Sequence, residues 1–121
     1  MTETGEHRGY DLEERTFQFA RSVRAFCGDL PRTIGNIEDT KQLVRASGSV
    51  GANYIEANEA LSKKDFLHQI RIARKESKEA RYWLRLLECG GQDGLEHQRN
   101  ALAQEAKELM LILAAILRKS S

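Results

Sequence analysis

The sequence predicts an all-α protein, an antiparallel up-down-up-down four-helix bundle built as a single domain. Three observations lead there. Pro31 is the only proline in 121 residues, and so few breakers favour long helices over a strand-rich fold with many turns. Apolar residues recur at three- and four-residue steps through four segments, at about 11–30, 36–59, 62–89 and 95–118, joined by short connections. These spans place roughly 95 residues in helix, far above the usual share of about one third. The length is near the common domain size, and 31% charged with 40% hydrophobic residues suits one globular core.

Residues 1–10 read as a flexible polar tail with no apolar signal-peptide core, and 11–119 as the domain. The first helix is expected to begin at Asp11, where Glu14 completes a capping-box pattern. Leu12, Thr16, Phe19, Val23, Phe26, Cys27 and Leu30 follow its period, and Pro31 ends it.

The second helix is expected to start at Asn36, with Glu38 and Asp39 in the first turn where the helix dipole favours negative charge. It carries the stretch Arg45 to Ala60, around which the chain is organised. Leu43, Val44, Ser47, Val50, Gly51, Tyr54, Ile55 and Asn58 share one face. Gly48 and Gly51 each cost about 1 kcal/mol relative to alanine in a helix, so close approach of another helix must offset them. Ser47 with Gly51, and Gly48 with Ala52, form a flat strip for that approach. Asn53 and Glu56 beside it read either as two polar residues on a solvated face or as a buried polar cluster that fixes how helices meet.

Ser62 and Asp65 make the next cap, and the third helix carries Phe66, Ile70, Ala73, Ser77, Ala80, Leu84 and Leu87 as its core stripe. Its charge is the most uneven in the chain. Ser62 to Cys89 holds eight basic and four acidic residues, a surplus of four, while the whole chain is only +1. At 100° per residue, Arg71, Arg74, Lys75, Lys78, Arg81 and Arg85 fall within an arc of about 120° that contains no acidic residue. Six cations so placed make either a solvated helix face whose long stems cover neighbouring apolar surface or a stripe that tracks a phosphate backbone, with Tyr82 in the same arc for stacking on an unpaired base.

Gly90, Gly91 and Gly94 mark a turn that needs left-handed backbone. The last helix places Leu102, Ala106, Leu109, Ile112, Leu113, Ile116 and Leu117 on its core face. Leu109 to Leu117 is nine apolar residues without a break, too short for the roughly 20 that span a bilayer. An apolar surface all round argues for burial against another subunit, through Leu109, Leu111, Leu113 and Ile116.

The run Ser47 to Asn58, with Asp11 to Phe17, Ser62 to Phe66 and Tyr82 to Leu84 in support, resembles the bacterial four helix bundle proteins, also called 23S rRNA intervening-sequence proteins. The resemblance covers roughly residues 10–118. It implies the same fold and assembly into a homo-oligomer, a ring-like pentamer above all. It also implies a link to RNA: relatives are encoded within ribosomal RNA intervening sequences, and similar bundles are accessory proteins of diversity-generating retroelements, working with a reverse transcriptase and RNA.

An enzyme is the competing class, and the chain offers little for one. A bundle di-iron site needs two Glu-x-x-His motifs, and the sequence has none. Asp65 and His68 make a single near miss, while His7 and His97 are scattered. No phosphate-cradling glycine loop and no nucleophile with a neighbouring base is evident. Glu56 and Glu79 would make a carboxylate pair if the second and third helices face each other, with a structural role favoured over a catalytic one. Cys27 and Cys89 lack metal spacing and read as reduced thiols of a cytoplasmic protein. The expectation is a non-enzymatic oligomeric scaffold or accessory protein that binds RNA or a nucleoprotein through the basic face of the third helix, with no metal, cofactor or membrane. The alternative is a protein-binding adaptor that docks an acidic partner without nucleic acid.

Overall fold

The apolar periods become four helices in the computed structural model, which describes residues 3–121, with side chains from Leu12 onward. They are α1 (Glu3–Gly28), α2 (Ile34–Asn58), α3 (Lys63–Leu86) and α4 (Asp93–Ser120), with no strand among the described residues. α1 starts at Glu3 rather than Asp11 because nothing in between breaks the ladder; Gly5 and Gly9 weaken a helix without removing a donor. Residues 1 and 2 of the expected tail lie outside the described residues. Ser62 caps α3 as expected, its hydroxyl accepting from the Asp65 amide at 3.1 Å. Among the described residues no helix is long and apolar enough to cross a membrane.

α2 packs against α1 on one side and α3 on the other, and α4 closes on α3 and more loosely on α1. Val23, Leu43, Val50, Ile70, Leu84 and Leu109 are fully buried between them. Of the flat strip on α2, Gly51 meets α1, where a Cβ on it would stand 2.8 Å from Thr16 Oγ1 and 3.2 Å from Thr16 Cβ, while Ala52 is exposed. Thr16 is itself buried and donates to the Glu13 carbonyl, so it has little freedom to withdraw. Ser47 is also buried, donating to Val44, and Gly48 faces Arg24. Asn53 and Glu56 form no buried cluster: Asn53 bonds back to Ser49 within its own helix and Glu56 is exposed, because the inward face runs through Val50, Tyr54 and Ala57. For the same reason Ile55 and Asn58 are exposed rather than core. Across α1 and α4, Arg15 grips Glu105 at 2.7 Å and Glu108 at 2.8 Å. Hydrogen bonds from Gln104 and Arg15 hold the Glu108 carboxyl below its usual range.

On α4 the inward face takes Leu109, Leu113 and Leu117. Leu109 and Leu113, expected at a subunit interface, are 0% exposed within their own subunit. Their four-residue spacing aligns both with the core stripe. Leu111 is 52% exposed and Ile116 partly so, which leaves these two at the surface. Cys27 and Cys89 are free thiols, half-buried and buried, and burial pushes the Cys27 thiol up.

Asn36 is not the cap of α2. Thr33 is, its hydroxyl accepting from the Asn36 amide at 3.0 Å. The Asn36 side chain instead donates to the carbonyls of Pro31 and Glu88, at 2.9 and 2.8 Å, and accepts from the Glu88 amide at 2.9 Å. Both backbone groups of Glu88 are thereby engaged outside α3, which ends at Leu86 rather than near Cys89. Gly90 and Gly91 then turn through φ of 65° and 74°, the left-handed conformation expected of them. Gly94 is already in α4.

Gly51→Ala is expected to destabilise the fold by about 1–2 kcal/mol in urea unfolding, since overpacking outweighs the helix-propensity gain. Thr16→Ala in the same chain should recover part of that loss, because it removes the atom met first. Asn36→Ala is expected to cost about 1–3 kcal/mol by leaving the part-buried backbone groups of Pro31 and Glu88 without their partner. Asn36→Asp should not restore stability, because a carboxylate cannot donate to Pro31 and Glu88.

Candidate nucleic-acid interface

α3 buries Ile70, Ala73, Ser77, Ala80 and Leu84, so the basic residues one step round the helix must lie at the surface. Arg71, Arg74, Lys75, Lys78 and Arg85 are exposed and Arg81 is half-buried. None of the six enters an ion pair among the described residues. The two carboxylates in the middle of α3 are turned the other way. Glu76 and Glu79 both face Arg45 of α2, each with a closest approach of 3.7 Å.

α4 is sorted in the same manner. Glu105 and Glu108 are drawn to Arg15 of α1, while Lys107 lies on the opposite side, facing α3. Lys107 joins Lys78, Arg81 and Arg85 around a groove of about 220 Å³ between α3 and α4, floored by Ser77, Ala106 and Met110. Tyr82 stands at its edge, 56% exposed, with its ring edge-on to Trp83 at 5.1 Å and 78°. Four positive charges and one aromatic ring converge on a concave surface with no carboxylate in its lining among the described residues. Such a surface can hold phosphates by charge and a base by stacking.

Lys107 was not among the residues that the periodicity singles out. It is one cation amid glutamates on α4, and only the seating of α4 on α3 turns it into the groove. The carboxylate expected to matter on α2, Glu56, is exposed and apart from the Arg45 cluster. Glu79 is held by Arg45, and the buried carboxylate is Glu76, 8% exposed, whose Oε1 has no hydrogen-bond partner. His68 and His97 are exposed, and no three metal-ligating side chains come together among the described residues.

No curated protein matches the chain. A crystal structure of a protein of unknown function from the S23 ribosomal protein family of Bacteroides thetaiotaomicron is similar, at 28% sequence identity and a TM-score of 0.75. The likeness covers 88% of this chain and 97% of that one. The profile of the 23S rRNA-intervening sequence proteins matches residues 9–115. With the match running from α1 into the last turns of α4, the chain belongs to the 23S rRNA-intervening sequence protein family.

Proposed function

We propose that the protein is a non-enzymatic accessory or scaffold bundle that binds RNA, or a nucleoprotein through its RNA, along the α3 face and the α3–α4 groove. The observation that carries this reading is the sorting of charge by helix face. Glu76 and Glu79 of α3 are drawn to Arg45, and Glu105 and Glu108 of α4 to Arg15, while Arg71, Arg74, Lys75, Lys78, Arg81, Arg85 and Lys107 enter no ion pair among the described residues. A surplus of this kind neutralises phosphates and releases their counterions. Two reduced thiols fit a reducing, cytoplasmic setting. The apolar floor of the groove, Ala106 and Met110, favours a second reading, an adaptor for an acidic protein segment.

The helices are proposed to run antiparallel, up-down-up-down. Asn36 at the start of α2 reaches Glu88 beyond the end of α3, while Arg45 meets Glu76 and Glu79. Arg15 meets Glu105 and Glu108, while Phe26 of α1 and Asp29 just beyond it adjoin Gln98 and Leu102 of α4. The bundle is proposed to assemble into a homo-oligomeric ring, a pentamer by family resemblance, with Leu111 and Ile116 supplying apolar surface that one subunit leaves open.

Arg74→Glu/Lys78→Glu/Arg81→Glu is expected to abolish uptake of a structured RNA in native mass spectrometry while leaving helicity intact. Wild-type affinity should fall with salt at a log–log slope near about −3 if roughly four phosphates are met. Retained binding by the triple variant would remove this face from the proposal, and uptake of an acidic peptide by a wild type that takes up no RNA would favour the adaptor. Leu111→Glu is expected to lower the subunit count with the helices preserved. Leu113→Glu should unfold the subunit itself, since it places a charge in the core.

A further inference from the structure

The α3–α4 groove has a chemistry that phosphate binding alone does not require. Its floor is apolar, and Tyr82 leaves over half of its surface open to solvent beside that floor. A tyrosine needed only for packing would be turned inward, as Tyr54 of α2 is at 5% exposure. The edge-on contact with Trp83 restrains the ring where it stands, so it offers a platform at little cost in order. At about 220 Å³ the groove is smaller than the roughly 300–1,000 Å³ of sites that enclose a drug-sized ligand, a size for one flat ring rather than a folded element. The cations sit on both walls, Arg81 and Arg85 from α3 and Lys107 from α4, so a strand passing over the ring meets charge on either side.

Duplex RNA keeps its bases stacked on one another and presents only backbone and groove edges, so it has no ring face to give Tyr82. An unpaired nucleotide has both a free base face and flanking phosphates. We infer that the groove takes one unpaired base of an RNA strand, stacked on Tyr82, with Arg81, Arg85 and Lys107 on the adjacent phosphates. This rests on the RNA-binding reading above and names the part of the RNA that the site selects.

The test is fluorescence anisotropy of the full chain with a labelled oligouridylate and with a blunt RNA duplex of the same length. Wild type is expected to bind the single strand about tenfold more tightly than the duplex. Tyr82→Ala should weaken the single strand by about tenfold and leave the duplex unchanged, while Tyr82→Phe retains wild-type affinity. Lys107→Gln should make the salt slope for the single strand shallower by about one. Trp83, the only tryptophan, should change its emission when the oligouridylate binds, because its neighbour becomes covered. Single-strand binding that is unaltered in Tyr82→Ala, or an equal loss on the duplex, overturns the stacking site; if Arg74→Glu/Lys78→Glu/Arg81→Glu still abolishes binding, the broader RNA reading stands. Failure of wild type to bind either RNA overturns both.

Discussion

The carboxamide of Asn36 joins two turns that are far apart in sequence. It holds the Pro31 carbonyl, which follows α1, and both backbone groups of Glu88, which follows α3. Part-buried backbone groups of both turns thus find their partners on one buried side chain, which ties the two turns together. Their packing is close: a Cβ on Gly90 would lie 3.0 Å from Pro31 Cγ. Arg99 of α4 adds a hydrogen bond to the Leu87 carbonyl at 3.1 Å. By stopping α3 at Leu86 and turning the chain at Gly90 and Gly91, this arrangement sets how α4 returns along α3 and therefore which α4 side chains reach the basic face.

At the other side of the bundle, α1 and α2 meet through small atoms. Gly51 against Thr16 lets two backbones approach where an ordinary side chain would hold them apart. The glycine weakens α2 as an isolated helix, and the packing it allows offsets that weakness. α1 and α4 are linked by Arg15 with Glu105 and Glu108, partly exposed pairs of the kind that contribute about 0–1 kcal/mol.

The charge pattern is harder to explain by stability than by binding. Arg71 with Lys75, Arg74 with Lys78 and Arg81 with Arg85 are like charges four apart on one helix, each pair destabilising by a few tenths of a kcal/mol. Glu76 adds a buried carboxylate whose Oε1 has no hydrogen-bond partner. A helix selected only to be stable would interleave its acids with its bases. α3 instead turns Glu76 and Glu79 toward Arg45 and Lys78, Arg81 and Arg85 toward the groove, so the fields of these bases add over one surface.

Four helices, the Ser62 cap, the left-handed glycines, the Gly51 strip and the exposed basic arc were all legible in the sequence, because each depends on local propensity or on helical period. The interface proposed at the end of α4 was legible only in part: nine apolar residues in a row hide which of them face inward, and packing takes Leu109 and Leu113 into the core while leaving Leu111 outside. The buried polar cluster was misplaced for a related reason. Asn53 and Glu56 adjoin the apolar stripe of α2, but burial of a polar group follows from what the facing helix supplies, and α3 supplies Glu76 opposite Arg45. The sequence by itself determined how many helices form, roughly where they lie and that one of them carries a one-sided positive charge, since these follow from neighbours within a few residues. Only the tertiary structure decided that Asn36 binds Glu88 rather than capping α2, and that Lys107 faces Lys78, Arg81 and Tyr82 across a groove. Both join residues distant in the chain, and their geometry exists only once the helices have packed.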